Sequence, residues 1–165
     1  GRCREVRSAR WEHIDLEAKL WNRPASHMKT RKAHTVTLSS AALAILDKAK
    51  VMSGGSGLIF PGLRSGAQLS DMTILKLLRT TGRKETVHGF RSSFRDWAAE
   101  KTSFAREIVE SALAHEDGTK VERAYRRTDF REKRAALLEA WGRFVAPSIS
   151  HGADNVVSLQ EARSA

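Results

Sequence analysis

The stretch His88-Gly89-Phe90-Arg91-Ser92-Ser93-Phe94-Arg95-Asp96-Trp97 carries the side chains best suited to chemistry in this sequence. On a helix, with about 100° between successive residues, Phe90, Phe94, Trp97 and Ala98 share one arc, and His88, Arg91 and Arg95 share an adjacent one. The first arc reads as core and the second as an edge bearing one imidazole and two guanidiniums. Arginine offers a phosphate a bidentate fork, and a histidine one turn away offers a donor or a proton carrier. The competing reading is a surface helix with ordinary polar residues. Further along, His115 follows Ala112-Leu113-Ala114, and Tyr125, the one tyrosine of the chain, stands among Arg123, Arg126 and Arg127. Cations favour a phenolate and hold a phosphate, so a tyrosine in that setting can act as nucleophile toward a phosphodiester. A helical tyrosine is more often a packing residue, and both readings stand at this level.

Other candidates are weaker. Ser92 and Ser93 lack the Gly-x-Ser-x-Gly surroundings of a serine nucleophile. His13, His27, His34 and His151 have no acidic or cysteine partner at metal-ligand spacing, and read as surface or structural residues. Ser53-Gly54-Gly55-Ser56-Gly57 is a loop without the Gly-Lys-Ser/Thr of a phosphate-binding loop. Cys3, alone, makes no internal disulfide.

The elements that must position these residues are short. Gly1 to Trp11 reads as the end of a helix, and the chain is expected to begin inside an element, as a piece of a longer protein. Strands are predicted over Ile14–Trp21, Ala25–Lys29 and His34–Leu38, with Asn22-Arg23-Pro24 as a breaker and Lys29-Thr30-Arg31-Lys32 as a basic loop. From Ser39 the period becomes helical, with Leu43, Leu46 and Ala49 on one face. Leu58-Ile59-Phe60-Pro61 is extended. Ser70 caps a helix that points Ile74, Leu75 and Leu78 inward. Helices follow over His88–Glu100, Phe104–Leu113 and Val121–Arg126. A last helix starts at Asp129 and Glu132, which have capping-box spacing, buries Phe130, Leu137, Leu138 and Trp141, and stops at Pro147. The sum is an α+β, mostly helical chain with a small three-stranded antiparallel sheet, one domain over 1–146 and a polar tail over 147–165.

The chain has 165 residues, 41% of them apolar, enough for one domain with a core. Twenty-nine Lys and Arg against 19 Asp and Glu leave a net charge of +10, which suits a polyanion, nucleic acid before membrane. No apolar run approaches the roughly 18–20 residues of a membrane helix. The charged start shows no signal peptide, and the lone Cys3 leads to the expectation of a reducing cytoplasm.

Taken in order, Arg2, a basic hairpin with Lys29, His88-x-x-Arg91, His115 and Tyr125 resemble the catalytic domain of the tyrosine recombinases, or phage integrases, over roughly residues 2–145. Glu5-Val6-Arg7-Ser8-Ala9-Arg10-Trp11-Glu12-His13-Ile14-Asp15 is similar to the passage after that family's first arginine, and Met28 to Ser39 to its lysine hairpin. Glu132-Lys133-Arg134 and Trp141 look like integrases of prophages and genomic islands. The sequence departs from the family in carrying Arg4 where a small residue is usual. Glu5 sets a register with Arg2 in the catalytic slot, and Arg4 is the alternative. Lys32 likewise competes with Lys29.

The resemblance implies a DNA breaking-rejoining fold and a site-specific recombinase that integrates or excises a mobile element through a 3′-phosphotyrosyl intermediate. Its implied catalytic residues are Arg2, Lys29, His88, Arg91, His115 and Tyr125; Arg31, Lys32, Arg95, Arg126 and Arg127 would bind DNA. It implies no cofactor and no metal, double-stranded DNA as partner, a homo-tetramer on DNA in the full-length protein, and a bacterial cytoplasmic, nucleoid-associated location. The family's N-terminal DNA-binding domains are expected to be missing from this chain. Val156-Val157-Ser158-Leu159 suggests that the tail packs on a neighbouring subunit, the alternative being a disordered terminus. Two competing functions are a non-catalytic basic DNA-binding module and a type IB topoisomerase.

Overall fold

A computed structural model describes residues 2–62, 66–115 and 129–147. Tyr125, Arg126 and Arg127, the helix expected over Val121–Arg126 and the tail beyond Pro147 lie outside the described residues.

The chain opens with a single helical turn and a half, α1 (Cys3–Arg7), whose amino end is capped by the Glu5 carboxylate reaching back to the Arg2 N–H at 2.6 Å. The helix stops there rather than continuing to Trp11. Ala9 and Arg10 are extended and run beside Leu58 and Ile59, with Arg10 bridged to Leu58 and the Ile59 N–H donating to Ala9 O at 3.0 Å. The apolar Leu58-Ile59 segment offers those backbone groups partners outside a helix.

A three-stranded antiparallel sheet follows, in the order β1 (Ile14–Asp15), β2 (Leu20–Arg23), β3 (His34–Thr37). Three strands were expected, but their bounds differ. The segment predicted as one strand over Ile14–Trp21 is a hairpin. The Asp15 carboxylate accepts from the Ala18 N–H at 2.8 Å and Lys19 adopts a left-handed φ of 55°, which together reverse the chain. Asn22 and Arg23, read as a breaker, complete β2, where Arg23 pairs with His34. Pro24 ends the strand, and Ala25–His27 is a 3₁₀ turn rather than a strand. The imperfect alternation of Ile14, Leu16 and Leu20 had this turn hidden inside it.

The remaining helices match the periodicity more closely. Among the described residues they are α2 (Ser40–Ser53), α3 (Asp71–Thr80), α4 (Gly89–Lys101), α5 (Arg106–Ala112) and α6 (Arg131–Val145). Ser39 caps α2 by accepting from the Ala42 N–H at 3.3 Å, and Gly54, with φ 71°, ends it. Asp129 and Glu132 do not form the expected capping box. Phe130 is the cap residue, with φ 54°, and Asp129 accepts instead from the Arg131 N–H at 3.1 Å.

Two apolar clusters hold these elements. Ala9, Leu46, Ala49 and Ile59 bury against Trp11, Trp21 and Leu38, joining α2 to the sheet. Phe94 and Ala98 of α4, Ile108 and Val109 of α5, Leu113 just after α5, and Leu137 of α6 form the other, with Trp97 and Trp141 packed on it. Leu137 is fully buried. The helix α6 lies close to the start of α2: a Cβ at Gly142 would come within 2.8 Å of the Ser39 hydroxyl oxygen, so glycine permits the approach. Glu139 fastens the same contact by accepting from the Ser40 N–H at 2.8 Å. Phe90 departs from the expected core arc. It is half exposed and lines an open apolar cavity of about 800 Å³, whose wall includes Val6, Val36, Leu113 and Trp141.

Candidate active site

Glu5 is the first fixed point of the site. It is a buried carboxylate, and around it stand arginines from two elements. Arg2, at the start of α1, donates its own backbone N–H and its Nη1, the latter at 3.1 Å. Arg23, buried at the end of β2, donates Nη1 to Glu5 Oε2, the oxygen that also accepts from the Arg2 N–H. Burial, the largest single effect, pushes the Glu5 carboxyl up; the Arg2 N–H and the Arg23 charge outweigh it and leave it below its ordinary value. Arg23 stacks its guanidinium over the Trp21 ring at 5.2 Å, which helps a buried cation. Burial still lowers its pKa, and so do the neighbouring positive charges of Arg91 and Arg2.

The second fixed point is Glu110, in the last turns of α5 and also buried. One of its oxygens accepts from Arg95 Nε at 2.9 Å; the other lies 2.6 Å from His115 Nδ1. The chain reaches His115 through Ala114, whose φ of 54° turns it back over the end of α5, and the His115 N–H donates to Glu110 O at 2.9 Å.

Arg91 of α4 sits between these two points. Its Nη2 donates to Leu113 O at 2.9 Å and to His115 Nε2 at 2.7 Å. Its pKa lies below the ordinary arginine value, first because it is partly buried and next because of the Arg2 charge. Glu5 and Glu110 oppose that lowering, so both carboxylates act on Arg91 electrostatically.

Of the residues expected to act, Arg91 and His115 are in direct contact, and the charge of Arg2 acts on Arg91. Arg4, the competitor of Arg2, is exposed, whereas Arg2 is the one held by Glu5. His88 is exposed at the cap of α4, one turn before Arg91, and its carbonyl accepts from the Arg91 N–H at 3.1 Å. Lys29 is exposed in the connection between β2 and β3, as are Arg31 and Lys32. Arg95 is half exposed and engaged with Glu110, so it serves α5 as well as facing solvent. Sequence reasoning missed Glu110, Arg23 and His34. The five-residue spacing of Glu110 and His115 across a helix end was a signal for the first; the other two become visible only when β2 and β3 pair.

His34 borders this site from β3. Its Nε2 is buried with no hydrogen-bond partner among the described residues, and burial, with Arg23 and then Arg134 as neighbours, pushes its pKa down to about 4.

An arrangement of two arginines and a histidine from α1, α4 and the end of α5 can bind an anion of phosphate size. The phage integrase family model matches residues 1–132. The chain belongs to the phage integrase family. Among curated relatives of this integrase chain, it is 38% identical over 144 residues to the prophage integrase IntA of Escherichia coli K12, covering 86% of this chain and 35% of that protein. It is 34% identical over 162 residues to the putative protein IntB of the same strain, covering 87% of this chain and 41% of that one. It is 30% identical over 162 residues to the integrase of Enterobacteria phage P4, covering 87% of this chain and 37% of that protein. The chain therefore spans about two fifths or less of these relatives. No solved structure gives a significant match.

Among the described residues no helix is long and apolar enough to cross a membrane.

Proposed function

We propose that this chain is the catalytic part of a tyrosine-type site-specific DNA recombinase, which integrates or excises a mobile element such as a prophage. The observation that carries the reading is the contact of Arg91 with His115, with the Arg2 charge acting on Arg91, three residues whose order in the chain resembles that of the family. The Tyr125 hydroxyl attacks the scissile phosphorus, forms a 3′-phosphotyrosyl bond and releases a 5′-hydroxyl. The 5′-hydroxyl of a partner strand then attacks the same phosphorus and releases the tyrosine. Because the phosphodiester energy is kept in the covalent intermediate, the exchange consumes no high-energy cofactor.

Arg2 and Arg91 stabilise the charge that builds on the phosphorane oxygens. His88 and His115 donate to those oxygens or move protons, and Lys29, on its exposed loop, protonates the leaving 5′-oxygen. A phenol with a pKa near 10 needs such assistance at neutral pH. Arg31, Lys32, Arg95, Arg126 and Arg127 add phosphate contacts, and the net charge of +10 favours double-stranded DNA. The full-length protein works as a homo-tetramer on DNA in the bacterial cytoplasm, with residues 1–146 as the catalytic domain and the tail packing on a neighbouring subunit.

The test is covalent trapping. The chain is mixed with supercoiled plasmid and quenched with denaturant, and protein attached to DNA is measured beside Tyr125→Phe. An adduct that the variant loses is expected. Salt-sensitive binding with no adduct refutes catalysis by this chain and leaves a DNA-binding module.

A further inference from the structure

We infer that Glu110 is the positioning residue that sets the orientation and tautomer of His115 at the phosphate site. The inference rests on the recombinase reading above for the identity of the substrate, not for the geometry. Glu110 is buried, yet both of its oxygens are occupied by donors from separate parts of the chain: Arg95 Nε of α4 at 2.9 Å and His115 Nδ1 at 2.6 Å. An ionised carboxylate can only accept, so the proton in the His115 contact belongs to Nδ1. Arginine can only donate, so the 2.7 Å contact from Arg91 Nη2 to His115 Nε2 ends on the Nε2 lone pair. The two contacts lie on opposite sides of the ring and require the same tautomer.

The consequence is a chain of fixed orientations running from Arg95 through Glu110 and His115 to Arg91. It holds the imidazole edge and the guanidinium against one another with His115 only partly exposed. Glu110 also ties α5 to α4, because Arg95 lies one turn beyond Arg91 on the same helix. A second hydrogen-bond partner that fixes the tautomer and orientation of a working histidine is a recurring device of enzyme sites. Glutamine has nearly the same shape but presents one acceptor oxygen and one NH2 group. It can satisfy Arg95 or the Nδ1–H of His115, not both, and so competes directly with the tautomer.

The test has two arms on the 165-residue chain. In the first, histidine is labelled with 15N and the His115 signals are assigned by their loss in His115→Asn. Long-range proton–nitrogen correlations are expected to show the wild-type ring protonated at Nδ1, and the Glu110→Gln ring shifted to Nε2 protonation or to a mixture. In the second, single-turnover adduct formation on plasmid is expected to slow about 10- to 100-fold in Glu110→Gln, with DNA affinity within about twofold of wild type. Protonation of the wild-type ring at Nε2 overturns the inference, and needs no variant to fold. So does a Glu110→Gln chain with unchanged tautomer and rate, or one that loses rate and affinity together with the tautomer unchanged. If wild type forms no adduct at all, the recombinase reading fails instead, and the tautomer measurement still decides the role of Glu110.

Discussion

His34 makes the stability of this domain depend on pH in a window that can be written down beforehand. The folded chain holds its pKa at about 4 against an ordinary 6.5, through burial first and then the positive charges of Arg23 and Arg134, with Glu5 opposing them weakly. Unfolding frees the imidazole to take up a proton. The contribution to stability is therefore fully present above pH 6.5, and is lost progressively as pH falls from about 6.5 to about 4. The whole interval, at about 1.4 kcal/mol per pH unit, corresponds to about 3 kcal/mol. At pH 5 about 2 kcal/mol of it has gone, and residual solvent contact at a partly buried ring screens this toward about 1.5 kcal/mol. For a domain of this size that lowers Tm by about 3–6 °C. The perturbation is His34→Gln, which removes the titrating group from β3. The assay is thermal unfolding of both chains at pH 7.5 and pH 5, and the quantity of interest is the difference between their shifts. Wild type is expected to lose about 3–6 °C more than the variant between the two pH values. If the two chains lose Tm in parallel, or if the His34 ring proton titrates near pH 6.5, the reasoning about burial beside Arg23 is wrong.

Glu5→Gln leaves Arg23 buried without its carboxylate and is expected to cost roughly 3–5 kcal/mol in urea unfolding, most of it recovered by adding Arg23→Leu; a single-variant cost below 1 kcal/mol would argue that Arg23 finds another partner. Leu137→Ala opens a cavity at a fully buried position between α4, α5 and α6 and is expected to cost about 2–5 kcal/mol by the same measurement.

Much of the site was legible because its chemistry sits on strongly periodic or well-punctuated segments. The arc of α4 placed Arg91 and Arg95 off the core face, as found, since Phe94, Trp97 and Ala98 must bury together. Phe90, on the same arc, escaped because burial also depends on what packs opposite, and there the neighbouring space is an open cavity. In the sheet, periodicity misled. A two-residue strand such as β1 is too short to show alternation, and the turn after it depends on one carboxylate and one left-handed lysine that a period of two does not report. The charged residues that organise the site were the least legible. Arg23 looked like a breaker beside Pro24, and Glu110 went unremarked within the Phe104–Leu113 helix; the fold puts each against an oppositely charged partner distant in the chain.

The electrostatic layout argues for an anionic substrate more strongly than the net charge does. Arg2, Arg23 and Arg91 share one region, yet a single carboxylate, Glu5, is bonded to two of them. Arg91 carries its charge partly out of water, and its hydrogen-bond partners given by the structure are a backbone carbonyl and an imidazole rather than a carboxylate. The second buried carboxylate, Glu110, is turned to Arg95 and His115 instead. The protein thus holds a guanidinium in a position where desolvation and a like charge both disfavour it, and Glu5 and Glu110 offset this only in part, each being bonded to other donors. If the proposed reading holds, a bound phosphate would offset both penalties, and a phosphorane, with more charge on its oxygens, would offset more than a ground-state diester does. Placing a third acid against Arg91 would relieve the unliganded protein and erase that difference. On the proposed recombinase reading, a preference for the transition state follows from the two buried carboxylates among the described residues being bonded to other donors than Arg91.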